Sequence, residues 1–353
     1  MKFVIDRAIP FAEGVFEPYA EVLYKDAQEI RRADLADADA LIIRTRTRCD
    51  AALLEGTPVK LIATATVSMD NIDQPWCKEH GIYVQNASGC NAGGVTNYVF
   101  SALYGTAARK SISLDGATLG IIGLGASGQR VEEMAFALGF KTLRYDPLRA
   151  AREGQLEFHT LETVLAGSDI VTMHIPLNDT TRGMADADFF ARMKPGAFFI
   201  NTAQGELVVE EDLLRAIPRL GPVVLDTWCH EPDINRELLE RVDIATPHIA
   251  GYTLQGKQIG TSLAVRAVAR FFGLSALYDF FPTTEILAYQ AVHVDVRDKT
   301  QGQIASIIQY NYPIFTDDFM FRMDPGRFKE LRANYSYRRE FYFLQIINDS
   351  HYG

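Results

Sequence analysis

The sequence predicts an α/β protein with parallel sheets and a smaller α+β domain at its C-terminal end. From Lys2 to about Asp226, short apolar segments alternate with helix-forming segments, as in strands that are covered by helices on both faces. The 353 residues exceed one ordinary hydrophobic core, which favours two or three domains. From about Phe281 the pattern changes, and a small separate domain is predicted there.

Two α/β units are predicted before the tail. The strands of the first are predicted at Lys2 to Ile5, Ala40 to Arg44, Val59 to Ala63 and Gly81 to Gln85. A long helix, Asn91 to Ala108, then leaves this unit. The strands of the second are predicted at Thr118 to Ile122, Lys141 to Tyr145, Ile170 to His174, Ala197 to Asn201 and Val223 to Asp226. A helix from Gln129 to Leu138 is expected to end at a C-cap near Gly139.

Later segments are predicted to return the chain and to build the tail. Apolar residues with helical spacing after His248 predict a helix that returns to the first unit: Ile259, Leu263, Val268 and Phe272. In the tail, Tyr289 to Arg297 and Ile304 to Tyr310 alternate like strands, and Phe328 to Arg339 predicts a charged helix.

Composition excludes several classes of function. The chain has 45 acidic and 35 basic residues, with a formal net charge of -10, which disfavours nucleic acid and anionic lipid as partners. No segment has the roughly 20 apolar residues that a membrane span requires. The four cysteines form no CxxC pair, so we expect reduced thiols, no metal site and a cytoplasmic location.

A glycine loop has the full context of a dinucleotide-binding motif. Gly123, Gly125 and Gly128 match G-x-G-x-x-G between a predicted strand and a predicted helix, and Asp146 ends the next strand. Such glycines permit close approach of the backbone to a pyrophosphate, which the helix N-terminus stabilises. A glycine turn in a Rossmann-like domain without a nucleotide is the alternative.

Neighbouring residues predict which dinucleotide binds. Ala126 and Ser127 are expected to lie against the phosphates, and Asp146 to accept hydrogen bonds from the ribose hydroxyls. Because a carboxylate repels a 2′-phosphate, NAD is preferred over NADP. Arg144 and Arg149 lie nearby in the sequence and could bind a 2′-phosphate, so NADP stays open as an alternative cofactor.

Two residues have the chemistry of an acid–base pair. His248 lies in Thr-Pro-His-Ile-Ala-Gly, and Glu231 directly precedes a proline. Histidine titrates near neutrality and suits proton exchange with a hydroxyl group, while a carboxylate beside it fixes its tautomer. A structural role is the alternative, and His174 and His230 are similar candidates for that role.

The order of these motifs resembles that of D-isomer-specific 2-hydroxyacid dehydrogenases over almost the whole chain. Besides the glycine loop and Asp146, the matching segments are His174 to Leu177, Lys194 to Gly196, Asn201 to Gly205, Asp226 to Pro232 and Pro247-His248. The resemblance implies a Rossmann-like NAD domain at 91–256, inserted in a flavodoxin-like substrate domain at 1–90 and 257–280. It also implies an active site in the cleft between them, with His248 as proton donor or acceptor and Glu231 as its partner.

Other segments resemble one subfamily, which acts on a phosphorylated 2-hydroxy acid and carries an additional tail. These segments include Leu35 to Leu41, Thr64 to Thr66, Gly89 to Ala92, His248 to Thr253, Phe328 to Tyr335 and Arg338 to Glu340. The resemblance implies a homodimer and a small C-terminal α+β dimerisation domain at 281–353. The substrate contacts carried over are Thr45, Thr66 and Tyr252. The remaining cofactor contacts carried over are Ile175, Thr202, Ala203, Asp226 and Gly251.

The chain departs from the family at the catalytic arginine of Asn-x-x-Arg-Gly, where it has Gln204. Glutamine offers a neutral amide in place of a charged, forked donor, and losing one such donor typically costs about 10²–10³ in rate. Asn97 also replaces a usual glutamate before Tyr98. Two alternatives therefore stay open: a dehydrogenase for another 2-hydroxy acid, and a catalytically impaired homologue that binds NAD(H).

A basic stretch follows the second predicted strand. Arg44, Arg46 and Arg48 would share one face on extended backbone. They are either a solvated edge or a grip on a substrate phosphate or carboxylate that partly replaces the missing arginine.

Overall fold

The computed structural model describes residues 1–282 and 292–343. Contacts divide the chain into two compact units. The first comprises Met1–Asn91 and Thr253–Tyr289, and the second comprises Ala92–Tyr252 and Gln290–Gly353. By its contacts the tail belongs to the second unit, while the three domain boundaries drawn from the sequence stay predictions.

The first unit contains a parallel sheet of five strands in the order β2-β1-β3-β4-β5. Its elements are β1 Lys2–Asp6, β2 Glu21–Lys25, β3 Ala40–Ile43, α1 Ala51–Leu54, β4 Leu61–Thr64, α2 Gln74–Glu79 and β5 Tyr83–Gln85. Every residue of β3 and β4 is buried, so these strands stand out as continuous apolar runs. The sequence does not predict β2, because this edge strand is only partly buried.

The second unit contains a parallel sheet of six strands in the order β11-β10-β9-β8-β6-β7. Its elements are α3 Ala92–Lys110, β6 Thr118–Ile122, α4 Ala126–Ala137, β7 Lys141–Tyr145, α5 Pro147–Glu153, α6 Leu161–Gly167, β8 Ile170–Met173, α7 Ala187–Arg192, β9 Phe198–Asn201, α8 Glu210–Ala216, β10 Val223–Leu225, α9 Arg236–Arg241 and β11 Ile244–Ala245. The strand order reverses beside β6, and such sheets bind ligands at the carboxyl ends of the strands at this point.

A long helix, α10 Leu254–Phe272, belongs to the first unit, as the sequence predicts. Gly273, with φ of +74°, ends it. Its buried face is centred on small residues: a Cβ at Gly260 would lie 2.6 Å from the carbonyl oxygen of Ala65. Val268 is fully buried in a core cluster with residues of β1, β3 and β4. Ile259 and Leu263, which were predicted on this face, are only half-buried.

The tail departs from its sequence-based description. Its elements are β12 Val292–Val294, α11 Gln301–Asn311, α12 Ile314–Met323, α13 Phe328–Ala333 and β13 Phe341–Phe343. The strand predicted at Ile304 to Tyr310 is wrong: Ile304, Ala305 and Ile308 are buried at helical spacing. A capping box at Thr300 also starts a helix there. Within the predicted strand at Tyr289 to Arg297, Val292–Val294 is confirmed, and 289–291 lie outside the described residues.

The tail is hydrogen-bonded to α3. The side chain of Asn97 donates to the Phe341 carbonyl at 2.7 Å and accepts its N–H at 2.9 Å, as a neighbouring strand would. The hydroxyl of Ser101 donates to the Tyr312 carbonyl at 2.7 Å. Asn97, which departs from the usual subfamily residue, thus anchors β13.

Five 3-10 helices complete the described elements, at Arg32–Leu35, Gln155–Glu157, Gly205–Leu207, Ser275–Leu277 and Pro325–Arg327. Across 1–282 and 292–343, no helix is long and apolar enough to cross a membrane.

The packing of α10 leads to a stability prediction. Val268→Ala should lower the free energy of unfolding by about 2 kcal/mol, because it removes buried methyl groups and leaves a cavity. Urea unfolding measures this change. Arg270→Ala, at an exposed position of the same helix, is the control and should change the free energy of unfolding by less than about 0.5 kcal/mol. Equal effects of the two changes would contradict the packing described here.

Candidate active site

The glycine loop between β6 and α4 has one crowded end and one open position. A Cβ at Gly128 would lie 1.9 Å from the Gly123 carbonyl oxygen, and a Cβ at Gly123, where φ is +90°, would lie 2.8 Å from the backbone of His174. Both positions therefore exclude a side chain. At Gly125 a Cβ would have no described atom within 4 Å, which leaves space above the N-terminus of α4, where Ala126 and Ser127 begin the helix.

Asp146 links this loop to the next helix. One carboxylate oxygen accepts the N–H of Leu124 at 2.9 Å, and the other accepts the N–H of Arg149 at 2.9 Å as the N-cap of α5. Each oxygen retains a second lone pair that a ribose hydroxyl can use. The position of Asp146 at the end of β7 accords with its predicted role.

The two nearby arginines already have acidic partners. Arg144 bonds Glu132 at 2.6 Å and Glu157 at 2.5 Å, and Arg149 bonds Glu153 at 2.6 Å. A 2′-phosphate would have to compete with these carboxylates.

The other predicted cofactor contacts follow neighbouring strands at the same edge of the sheet. Ile175 follows β8, Thr202 and Ala203 follow β9, Asp226 follows β10, and Gly251 lies in the loop after β11. The hydroxyl of Thr202 is buried and has no hydrogen-bond partner among the described residues. An unpaired buried hydroxyl is costly, so a ligand group that binds Thr202 would relieve this cost.

His248 and Glu231 form the predicted pair. Nδ1 of His248 lies 2.9 Å and 3.1 Å from the two carboxylate oxygens of Glu231. The N–H of Trp228 donates to the same carboxylate at 3.0 Å. With Nδ1 occupied, Nε2 is the ring atom that can exchange a proton with a substrate.

Charge around Glu231 keeps it ionised. Burial raises the pKa of this carboxyl, but the bonds from His248 and Trp228 and the charge of Arg332 outweigh burial and lower the pKa below its usual value. The nearest Arg332 nitrogen lies 3.6 Å from the carboxylate. The tail therefore contacts the predicted pair, although no motif or spacing in the sequence indicates this contact.

Asp226 holds the loop that carries His248. Its carboxylate accepts the N–H groups of Ile249 and Ala250 at 2.8 and 2.9 Å and the Thr246 hydroxyl at 2.6 Å. Its carbonyl accepts the N–H of His248 at 2.7 Å. Burial raises the pKa of the Asp226 carboxyl, so these donors are needed to keep it charged.

Gln204 precedes a turn that packs against the segment leading to Glu231. Its carbonyl accepts a hydrogen bond from the Asn201 side chain at 2.8 Å. A Cβ at Gly205 would lie 2.0 Å from the Trp228 backbone, so only glycine allows this approach. Within the described residues, no hydrogen bond engages the Gln204 side-chain amide.

The other two candidate histidines, His174 and His230, have no carboxylate within hydrogen-bonding distance among the described residues. His174 is half-buried, desolvation of its ring lowers its pKa to about 3, and the ring bonds the Thr172 hydroxyl at 3.0 Å. It therefore stays neutral and serves a structural purpose. His230 is exposed, with φ of +59°.

In the first unit, the substrate contacts carried over from the subfamily follow strand ends. Thr45 is exposed in the turn after β3. Thr66 follows β4, and its hydroxyl lies 2.7 Å from that of Thr64. Thr45 and Arg46 form a turn, and Thr47 lies in a bend. The expectation that Arg44, Arg46 and Arg48 lie on one extended segment is therefore wrong.

The side chains of this basic stretch have different surroundings. Arg44 donates to the Ala8 carbonyl at 3.1 Å, and Arg48 pairs with Asp50 at 2.6 Å. Arg46 is exposed and has no ion pair within the part of the chain that the structure describes.

Tyr252, the remaining predicted substrate contact, lies in the second unit. Its ring packs against those of Tyr335 and Tyr337, with centroids 6.2 and 6.5 Å apart.

Sequence comparisons place the chain among known proteins. The profile described as D-isomer specific 2-hydroxyacid dehydrogenase, NAD binding domain, matches residues 97–250. The chain is 40% identical to erythronate-4-phosphate dehydrogenase of Bacteroides thetaiotaomicron, over 98% of this chain and 99% of that protein. It is 39% identical to erythronate-4-phosphate dehydrogenase of Escherichia coli O127:H6, over 99% of this chain and 94% of that protein. The chain belongs to the D-isomer-specific 2-hydroxyacid dehydrogenase family.

Structural comparison agrees with this assignment. NAD+-bound 3-phosphoglycerate dehydrogenase of Entamoeba histolytica is similar with a TM-score of 0.66 and 28% identity, over 81% of this chain and 99% of that chain. The predicted fold class, with a Rossmann NAD-binding domain, is thereby confirmed. As a member of this family, the chain is an NAD-dependent 2-hydroxyacid dehydrogenase. The glycine loop, the open space at Gly125 and the unpartnered Thr202 hydroxyl fit NAD.

The surroundings of Asp146 lead to a prediction about cofactor choice. We expect this dehydrogenase to bind NADH at least about tenfold more tightly than NADPH, equivalent to roughly 1.4 kcal/mol, because Asp146 repels a 2′-phosphate and both nearby arginines are paired. Titration of reduced-cofactor fluorescence measures the two affinities. Asp146→Asn keeps a helix-capping side chain but removes the negative charge. It should therefore reduce the difference between the affinities for NADH and NADPH. Equal or tighter binding of NADPH by the unchanged protein would refute the assignment.

Proposed function

We propose that the chain oxidises 4-phospho-D-erythronate to 3-hydroxy-2-oxo-4-phosphooxybutanoate, with NAD as the acceptor, in the synthesis of pyridoxal 5′-phosphate (vitamin B6). The observation that carries the reaction is the His248–Glu231 pair beside the cofactor loops. The choice of substrate is supported by relatives named erythronate-4-phosphate dehydrogenase that match almost the whole chain, tail included.

The chemistry assigned to the protein is proton transfer and charge stabilisation. NAD, when bound, accepts the hydride that leaves C2 of the substrate. Nε2 of His248 takes the proton of the C2 hydroxyl as that oxygen becomes a carbonyl, and the Glu231 carboxylate stabilises the resulting imidazolium. In the reverse direction His248 returns the proton to the developing alkoxide.

Binding of the substrate is assigned to hydroxyl groups and one arginine. We assign contacts to Thr45, Thr66 and Tyr252, whose hydroxyls can bond carboxylate or phosphate oxygens. Arg46, which is exposed and has no ion pair among described residues, is our candidate for the substrate phosphate. Arg44 and Arg48 are engaged elsewhere in the first unit.

Gln204 favours a second candidate function. A neutral amide stabilises a developing charge less than a guanidinium does in a dry site. The alternatives are a dehydrogenase for another 2-hydroxy acid and an impaired homologue that binds NAD(H). A turnover assay with 4-phosphoerythronate and a panel of 2-hydroxy acids distinguishes these functions. A dehydrogenase for another substrate acts on a different acid of the panel, whereas an impaired homologue acts on none.

Restoring the family arginine should therefore increase activity. Gln204→Arg is expected to raise turnover of 4-phosphoerythronate at least about tenfold, which corresponds to roughly 1.4 kcal/mol of barrier. In that background, His248→Asn should abolish the gain and leave NADH binding nearly unchanged. Steady-state kinetics and cofactor titration measure the two effects. If Gln204→Arg lowers turnover, glutamine is adapted to the true substrate and another cation anchors it.

We also propose a cytoplasmic homodimer. All four cysteines are free thiols, in keeping with a reducing compartment. Of the tail aromatics that could form a partner surface, Phe341 is buried and Tyr337 is 39% exposed. Instead, α12 exposes Phe319, Met320 and Met323 by 60%, 48% and 67%. We assign this apolar face to a second copy of the chain, because the tail serves dimerisation in the subfamily that the chain resembles.

Charges on this face should prevent dimerisation. Phe319→Lys combined with Met323→Lys is expected to convert the dimer to a monomer, because apolar contact would be replaced by buried like charges. Light scattering measures the mass in solution. Phe136→Lys, at a 52% exposed position of α4, is the control. A double variant that keeps the dimeric mass would refute the assigned surface. Deleting the tail is less informative, because it removes the buried Phe341.

A further inference from the structure

Two arginines of the tail contact the region of the predicted catalytic pair. Arg332, on α13, lies 3.6 Å from the carboxylate of Glu231, and its side chain is 32% exposed. Arg338, beyond that helix, lies at the loop that follows His248. Both belong to the same compact unit as this pair.

The guanidinium of Arg338 donates mainly to that loop. It bonds the carbonyls of Ala250 at 2.6 Å, Tyr252 at 3.2 Å and Ile249 at 3.4 Å. A further bond reaches the Gly94 carbonyl at 3.2 Å, in the first turn of α3. Three of these four carbonyls thus lie within four residues of His248.

The backbone at His248 needs such support. His248 has φ of +58°, a backbone conformation that residues other than glycine rarely adopt. Such a conformation persists only where several surrounding contacts hold the backbone in place. The Asp226 carboxylate accepts hydrogen bonds from N–H groups of this loop, and the Arg338 guanidinium donates to its carbonyls. The loop is therefore held through both kinds of backbone polar group.

The cation of Arg338 interacts electrostatically with the Asp317 carboxylate without contacting it. It forms no ion pair within 4 Å among the described residues, and its guanidinium stacks 3.8 Å from the ring centroid of Tyr312. A buried cation is costly unless its donors are satisfied. Here the loop carbonyls accept hydrogen bonds from the two terminal nitrogens of Arg338, whereas its Nε has no partner among the described residues. Moving the loop would leave the remaining donors of this cation unpaired as well.

We propose that the tail is a working part of the active site: Arg338 is a positioning residue for the loop that carries His248, and Arg332 tunes the charge of Glu231. This inference rests on the proposed reaction. It assigns to the tail a catalytic contribution that is separate from dimerisation, and it predicts effects on rate and on pH dependence within one chain.

The first experiment separates positioning from folding. Arg338→Lys keeps the charge but cannot reach several carbonyls at once. We expect its kcat for 4-phosphoerythronate to fall at least about tenfold, with KM and NADH affinity changed less than about threefold. The kcat of Arg338→Gln should fall further than that of Arg338→Lys, because the positive charge is lost as well. Arg339→Gln, an exposed neighbour, is the control and should keep kcat. Folded Arg338 variants with kcat within twofold of the unchanged protein would overturn the positioning role.

The second experiment requires no turnover. His248 and Arg332 act on the charge of Glu231, and His248 also acts on that of Asp226, while the Arg338 cation lies at the carbonyls after His248. Removing the cation with Arg332→Gln leaves more negative charge beside the imidazole. The NMR titration midpoint of His248, assigned with His248→Asn, should then rise by roughly half a unit. In kinetics, the acid limb of the pH profile for oxidation should move upward with it, since the base must be neutral.

The outcomes distinguish this proposal from the proposed function. Lys329→Gln, an exposed change on the same helix, should leave the His248 midpoint in place. If the unchanged protein does not turn over 4-phosphoerythronate, the proposed substrate fails while the titration still tests the tail. If both Arg338 variants fail to fold, the NMR titration of His248 in Arg332→Gln alone decides whether the tail acts on the site. A midpoint that does not move in Arg332→Gln would overturn the role of the tail in the site.

Discussion

The buried carboxylate of Asp226 is the interaction on which the rest of the site depends. It stands directly after β10 and accepts hydrogen bonds from Thr246, Ile249 and Ala250. Without these donors, a carboxylate at 1% exposure would be too costly to keep ionised. With them, the chain after β11 turns back over the sheet edge, and His248 reaches Glu231.

Close backbone contact builds the remaining geometry. Parallel strands end at one edge of the sheet, so the loops after β6, β8, β9 and β10 converge there. Gly123 brings the cofactor loop against the segment after β8, and Gly128 lets α4 pack against the Gly123 carbonyl. Gly205 brings the Gln204 turn against the Trp228 backbone. The position of Gln204 is thus set by backbone packing, whereas the chemistry at that position is set by the side chain.

Prediction from the sequence succeeded where the signal is local. The buried strands of both sheets, the glycine loop and the helix α10 each have a periodicity or spacing of their own. It failed at Ile304 to Tyr310, where a short segment with mixed periodicity is consistent with either strand or helix. It also missed β2, whose partial burial leaves no continuous apolar run.

The sequence by itself determined the fold class and the glycine loop with Asp146 after the next strand, and it singled out His248 and Glu231 as the predicted pair. Each of these depends on neighbouring residues or on motifs in a fixed order. Only the tertiary structure decided that Arg332 and Arg338 contact the region of that pair. These arginines lie far from His248 along the chain, and no spacing relates them. Their approach comes from long-range packing: Asn97 and Ser101 of α3 bond the tail, and Asp318 bonds Ala245 of β11. Such contacts must offset the entropy of closing a long loop, and no local pattern in the sequence indicates them.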